Sequence, residues 1–536
     1  MLWILKLSEW FCAGARQGFS RAILLCVNAA ILLWFWTGNL KYVPREDAIE
    51  PQKYALQIID LNAENKKQRR QLVPISGYVP YGGNLVGETP FALFGLSVAM
   101  DETGATIVVR EEGTGTIFVY ENTSNGWTQK GQDLTGFPLW SFTFGSGHSV
   151  AISRDGSIVA VGSSATQDVV VFQYDTSTEM WLQRGSTIQG VELDGTPISA
   201  SFGWAISMSG DGNKIAVGAP HHDSPTLRNI GFATTYLWNG NINDWERGLY
   251  EAGITVVSGL YGEIADAYLG SYVSLSGDGM LFAVGMPGSS ASYSGSTRFG
   301  ECRAFYNDGR VINQRFVNAG AMFGSTVNDD FGHSVALNYD GSIIAISSRR
   351  FDVGGTGRVG KVQVFERTDE RWIQLGSDLI GGEQGDQFGH SIGLSNDGKT
   401  LVAGSGPLFP GRVPGSYTRI YKFDGTDWVL EEISRAQGFD IDVNGDYDRL
   451  GWSIAVSGDG TKVLVGAPLY DGSDRDNGLV QMWGQTDFPT FSPILNPLPQ
   501  VGDLGTGGSP TQTNYVSRAF AWWQGAVAYL EGFLFK

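Results

Sequence analysis

Residues Leu450 to Pro468 read LGWSIAVSGDGTKVLVGAP, and how this stretch is read decides the fold. Ile454 and Val456, then Val463 and Val465, alternate with small or polar residues on either side of Asp459-Gly460. Period-two alternation interrupted by Asp-Gly describes a strand, a tight two-residue turn that needs positive φ, and a returning strand. Related versions begin at Phe94, Phe144, Phe202, Leu269, Phe331 and Phe388, giving seven copies in all. In most of them an Asp-Gly sits at the same place, so the turn has a sufficient structural reason and needs no chemical one.

Each copy is followed by a third strand of the form Gly-x-apolar-x-apolar-aromatic, as in GTIFVY from Gly115, GKVQVF from Gly360 and GLVQMW from Gly478. A fourth is marked by tryptophan and glycine: WTQKGQDLTG from Trp127, WLQRGSTIQG from Trp181, WIQLGSDLIG from Trp372. Four antiparallel strands recurring at this interval are the blade of a β-propeller. The last unit lacks its Trp-Gly strand, but YVPYGGNLVG, Tyr78 to Gly87, overlays WIQLGSDLIG with Tyr78 at the Trp372 position. The expectation is an all-β, seven-bladed propeller of four-stranded antiparallel blades. An early strand closes it, because a ring left open would expose an unpaired sheet edge.

Composition agrees: 74 glycines, 12% aromatic and only 17% charged residues in a chain of 536 favour many short strands and tight turns. The formal net charge of -18 repels phosphate backbones, which excludes a nucleic-acid partner from the expectation. Of three cysteines, Cys12 and Cys26 lie near the N-terminus and Cys302 is alone in the body, so no disulfide forms within it.

The flanks read differently. AILLCVNAAILLWFWTG, Ala22 to Gly38, is uncharged over 17 residues and ends near Trp34 and Trp36, which suit a membrane interface. It reads as an uncleaved transmembrane helix; the competing reading is a signal peptide, against which stands the absence of a small-x-small site directly after it. Lys6, Arg16 and Arg21 before the span nearly balance Lys41, Arg45 and Lys53 after it. The expected arrangement is single-pass type II with the body extracellular or lumenal, and the sequon Asn122-Thr123-Ser124 agrees with it. The resulting organisation is an N-terminal segment at 1–21, the span at 22–38, a partly helical stalk at 39–77, the propeller at 78–484, a Pro/Gly-rich linker at 485–519 and an apolar C-terminal segment at 520–536.

The string F-G-x-S-V-A-x-S followed by V-G-A-P, best seen in FGWAISMSGDGNKIAVGAP from Phe202 and in the opening stretch, resembles the FG-GAP repeat of the integrin α-subunit N-terminal propeller. The Gly-His-Ser of His148, His333 and His390 with a later Asp-Gly is also similar to WD40 repeats. The first resemblance implies a cell-surface or lumenal adhesion module, the second an intracellular scaffold; the apolar span favours the first.

One segment carries metal chemistry. DIDVNGDYD, Asp440 to Asp448, places side-chain oxygens at positions 1, 3, 5 and 9 and a glycine at 6, which is how a short loop wraps a hard cation. Asp440, Asp442, Asn444 and Asp448 would supply side chains and Asp446 a backbone carbonyl to calcium, as FG-GAP calcium loops do. Here, however, the loop precedes Leu-Gly instead of joining the first two strands, and Asp448, like Asp386 and Asp329, stands two residues before Phe-Gly or Leu-Gly, so it also fits a role in blade geometry.

GTGRVGKV, Gly355 to Val362, imitates a phosphate-binding loop but leads into a strand, and no nucleotide is expected. His148, His333 and His390 recur at or near a repeat position shared with Trp204, Tyr272 and Trp452, which suits packing; His221-His222 reads as surface. No acid, base and nucleophile cluster on one deviant blade. The functional expectation is a non-enzymatic binding or adhesion module that takes a protein or glycan through loops such as Ala219 to Gly231 and Pro287 to Gly300. Its rivals are a hydrolase or lyase using the central channel, and a structural subunit of a membrane assembly.

Overall fold

The computed structural model describes residues 77–486, apart from 125, 138–148, 192–196, 199–200, 253–254, 258, 290–298, 308–314, 356, 370, 407–415, 432–447 and 472–474. The span, the stalk before Gly77, the linker and the C-terminal segment lie outside the described residues.

Seven sheets follow one another along the chain. Their first strands are Phe94–Met100, Val150–Ile152, Ala205–Met208, Tyr272–Leu275, Phe331–Leu337, Ser391–Leu394 and Ser453–Val456, which define blades 1 to 7. Each first strand touches the next and the seventh touches the first, so these strands line the axis of a closed ring. Closure comes from Gly77–Val86, which pairs antiparallel with Leu479–Thr486 from Gly77 opposite Thr486 to Val86 opposite Leu479. The overlay of Tyr78 on Trp372 therefore found the fourth strand of blade 7, and the seven-bladed all-β expectation holds.

Second strands such as Thr106–Glu111, Ile158–Ser163 and Leu281–Met286 are buried along their whole length. Both of their faces are covered, because apolar clusters fill all seven junctions between adjacent blades. Two departures from the simple blade appear. In blades 1, 2, 3 and 5 the fourth strand is split, its second part (Leu134–Thr135, Ile188–Gln189, Leu260–Tyr261, Leu379–Ile380) rejoining the third strand after a break. Blade 4 has six strands, because Leu249–Ala252 joins its outer strand Arg315–Phe323 in parallel and carries Thr255–Val257 with it.

The Ser-Gly-Asp-Gly of the opening stretch is a hinge, of a different kind from the two-residue turn expected. Gly460 N–H donates to the Ser457 carbonyl (2.9 Å) and Ser457 N–H to that of Lys462 (3.0 Å); Gly460 has φ 69 while Asp459 keeps negative φ. This is a longer turn relaxed by a left-handed glycine. The Ser457 hydroxyl donates to Asp459 (2.7 Å) and accepts the Lys462 N–H (2.9 Å), while Thr461 N–H donates to Asp459 (2.9 Å). Burial raises the Asp459 pKa, but these hydrogen bonds outweigh it and hold the carboxyl below its ordinary value. The carboxylate is occupied by its own turn.

Two interlocks explain the repeat's glycines and tryptophans. A Cβ on Gly466 would stand 2.2 Å from the Gly95 carbonyl oxygen of the next blade, so the glycine of V-G-A-P exists to let two backbones meet. Blade 1 has Arg110 at that position, fully buried, with its Nη1 donating to the Gly162 carbonyl at 3.0 Å. On the outer strands, Trp181, Trp245 and Trp428 donate their indole N–H to the carbonyls of Lys130, Arg184 and Leu375 in the preceding blade, at 2.7, 2.9 and 2.9 Å. The glycine following each carbonyl leaves room for the ring: a Cβ on Gly131 would lie 2.6 Å from Trp181.

Candidate functional site

The two ends of the channel are built differently. At the Asp-Gly end the turns between first and second strands are short, and their tips are joined in a circle of backbone hydrogen bonds. Glu102 N–H donates to the Arg154 carbonyl (3.0 Å), Arg154 to Gly210 (2.8 Å), Gly210 to Gly277 (2.7 Å), Asp278 to Tyr339 (3.0 Å), Tyr339 to Asn396 (3.2 Å), Asn396 to Gly458 (2.8 Å) and Gly458 back to Glu102 (2.7 Å). Side chains then cover the circle. Arg154 pairs with Glu102 and lies 5.0 Å from the centre of the Tyr339 ring, and Asn396 donates to Glu102 (2.9 Å). The glycines give them space, since a Cβ on Gly277 would meet Tyr339 at 2.2 Å and one on Gly458 would meet Asn396 at 2.4 Å.

The Phe-Gly end carries the long loops. In all six described copies the residue before Phe-Gly or Leu-Gly is left-handed: Leu93, Ser201, Tyr268, Asp330, Gln387 and Arg449, with φ between 49 and 70. Inside this mouth Tyr272, His333, His390 and Trp452 form a buried chain across blades 4 to 7. The Tyr272 hydroxyl and His333 Nε2 are 3.2 Å apart, and the ring centres of His333 and His390, then His390 and Trp452, are 5.4 and 4.1 Å apart. Burial pushes the Tyr272 phenol up to about 12. Tyr272 stands opposite Gly285, as Ser453 stands opposite Gly466, so it belongs one register position beyond Trp452 and His333. His148 lies outside the described residues.

Two buried carboxylates of this end, Asp386 and Asp329, are engaged. Asp386 accepts from the Tyr417 hydroxyl (2.7 Å) and the N–H groups of Gly382 and Glu383 (2.9 and 2.8 Å). Asp329 accepts from Thr326 (2.7 Å) and Phe331 N–H (3.2 Å), and burial raises its pKa. Asp448, at the corresponding place, is buried. Asp440, Asp442, Asn444 and Asp446 lie outside the described residues. Among the described residues no group of three His, Cys, Asp or Glu side chains could hold a metal.

Other motifs resolve individually. His221 is bonded to Ser201 (2.9 Å) between Trp204 and Tyr268, burial lowering its pKa, whereas His222 packs on Phe232 and Tyr261. His222 is buried, not a surface residue, and the pair faces separate aromatic surroundings. In Gly355 to Val362 the following element is the strand Lys361–Thr368, and the Lys361 ammonium is buried beside Phe351, 3.4 Å from Asp378. The sequon's Asn122 has its amide nitrogen buried, where a Cβ on Gly82 would lie 2.8 Å from it, so the folded chain does not offer it to a glycan. An open pocket of about 360 Å³ on the rim of blades 2 and 3 is lined by Tyr174, Gln183, Arg184 and Trp238, but Arg184 already covers Trp238 at 4.2 Å.

No protein-family model matches the chain, and no curated protein matches it. Solved structures that resemble it include the beta-propeller domain of Cps50 (Swd1) from Myceliophteria thermophila, 8% identical over 76% of this chain and 100% of that one, with a TM-score of 0.45. Hydrazine synthase of Kuenenia stuttgartiensis is 12% identical over 75% of this chain and 97% of that one, TM-score 0.45. A putative 6-phosphogluconolactonase from Bacteroides fragilis is 15% identical over 69% and 86%, TM-score 0.42.

Proposed function

We propose that the protein is a tethered binding module, anchored in a membrane through residues 22–38 with the propeller extracellular or lumenal, that presents its Phe-Gly face to a protein or glycan partner. The observation that carries this reading is the placement of Gly77 and Thr486, where the described propeller begins and ends. Gly77 and Thr486 are paired neighbours at the Asp-Gly end of blade 7, where Gln485 N–H donates to the Thr461 carbonyl. A tether on either flank therefore joins the propeller at its short-turn end, the end opposite the long loops. Propellers supply a rigid disc whose loops supply recognition. The resemblance to FG-GAP modules supports the same assignment, and calcium at Asp440 to Asp448 would stiffen the approach to blade 7. The channel chemistry that a hydrolase or lyase would need is weakly supported, since the described Asp386 and Asp329 are occupied by local hydrogen bonds.

The test is affinity capture from membranes with the full chain, in calcium and in chelator. One variant has the loop 219–231 replaced by a short Gly/Ser linker, and another carries Asp340→Lys and Asp397→Lys on the opposite face. Capture lost with the first and kept with the second is the expected result; the reverse pattern overturns the assignment of the binding face.

A further inference from the structure

Blade 5 carries a local reversal of charge in a chain whose net charge is -18. Arg349 and Arg350 form the turn just after its second strand, Ile343–Ser348, and Arg358, whose N–H donates to the Asp352 carboxylate, is exposed in the loop that follows at the Phe-Gly end. A single carboxylate serves the first two: Asp330 Oδ2 accepts from Arg349 Nε at 3.1 Å, and Arg350 Nε lies 3.1 Å from the same oxygen. The second approach is outside hydrogen-bonding geometry, so the Arg350 Nε–H is buried without a bond among the described residues. Its side chain is nevertheless 40% exposed, against 15% for Arg349, so the guanidinium reaches the surface. Burial, and then the repulsion of Arg349 and Arg358 against the attraction of Asp330, lowers the Arg350 pKa. Other arginines of this face are better matched: Arg303 lies between Glu301 and Glu263.

The intervening loop adds access. Gly354 and Gly355 are left-handed with no heavy atom within 4 Å of a would-be Cβ, so the tip of the loop between Arg350 and Arg358 stands open. Guanidinium groups are weakly hydrated and present forked donors that match planar or tetrahedral oxyanions.

We propose that Arg350 and Arg358, backed by the Arg349–Asp330 pair, form a subsite for one oxyanion, a carboxylate, sulfate or phosphate, carried by the partner of the Phe-Gly face. This rests on the binding-module reading and sharpens it, because it names the chemical group that the partner must present.

The experiment titrates the full chain with glutarate, sulfate and inorganic phosphate at constant ionic strength, following binding by calorimetry, and needs no partner. Saturable binding of at least one anion is expected, and the arm that binds tightest identifies the source. Arg350→Gln/Arg358→Gln weakens it about tenfold, the usual scale of a lost charge-assisted hydrogen bond. Arg350→Lys/Arg358→Lys restores part of it, and Arg228→Gln, in a loop of blade 3, leaves it unchanged. Equal unfolding midpoints without anion show that the variants are folded. No saturable binding by any of the three anions, or binding unaltered in the double Gln variant, overturns the subsite; partner capture by the face is read separately and is unaffected by that result.

Discussion

If the Trp-x-x-x-Gly signature is an interlock between blades, Gly131→Ala must cost more than a left-handed glycine elsewhere. Gly131 has φ 76, and a Cβ there would stand 2.6 Å from Cδ1 and 3.0 Å from Nε1 of Trp181, a ring held in place by its bond to the Lys130 carbonyl. Gly83 has nearly the same backbone, φ 84, with no heavy atom within 4 Å of a Cβ. Gly83→Ala therefore meets only the left-handed penalty, about 1–2 kcal/mol. Gly131→Ala adds overpacking against a fixed aromatic ring, about 1–3 kcal/mol more. Trp181→Ala alone costs about 3–5 kcal/mol, but with the ring gone Gly131→Ala should fall to the Gly83→Ala value. The double variant should thus be less destabilised than the sum by about 1–3 kcal/mol. Urea unfolding followed by tryptophan fluorescence and by far-ultraviolet dichroism measures all four. Equal losses for the two glycine variants, or strict additivity with Trp181→Ala, would refute the interlock.

Raising the pH through the range from about 10 to about 12 should destabilise the chain. Tyr120 and Tyr272 are pushed up to about 12, by burial first in both cases, so the unfolded state loses these protons before the folded one does; phenolate absorbance lagging behind free tyrosine, with falling midpoints, checks it. Ser457→Ala removes an acceptor from Lys462 N–H and a donor to Asp459, and should cost about 1–2 kcal/mol in denaturant unfolding. It should also shift acid denaturation to higher pH, because the depressed Asp459 carboxyl, whose stabilisation is lost as pH falls through its folded pKa, would titrate nearer its ordinary value. Expression through a secretory pathway should leave Asn122 unmodified in folded protein by peptide mass spectrometry. Calcium binding measured by calorimetry should disappear in Asp440→Ala/Asp442→Ala; unchanged binding would remove that loop from the proposal.

The blades were legible because their signals are side chains under steric constraint. Gly466 must face a carbonyl, Gly460 must turn left-handed, and Tyr78, Gly82 and Gly87 keep the spacing of Trp372, Gly376 and Gly381, so the closing strand could be found far from its sheet. The left-handed corner before Phe-Gly was not legible, since Leu93, Ser201, Tyr268, Asp330, Gln387 and Arg449 share no chemistry and the surrounding backbone bonds impose the conformation. The extra hairpin of blade 4 escaped because Leu249–Ala252 and Thr255–Val257 are short, and it is Leu249–Ala252 that pairs with a strand some sixty residues later, a register that local pattern does not encode. At the mouth, the shared position of His333, His390 and Trp452 was visible, whereas the stacking that joins them depends on blade geometry. Arg349 and Arg350 belong to no motif of the sequence; only the sharing of Asp330 marks them out.

The circle of amides at the turn tips works as a hoop around one rim of a barrel. Every member gives to its neighbour in the same rotational sense, so the band has no loose end at which strain could begin to unzip it. An object wedged into the open mouth could spread the blades there only by tilting them about the banded rim, as petals open from a calyx. Any widening of the channel should therefore be conical, greatest at the mouth and vanishing at the hoop.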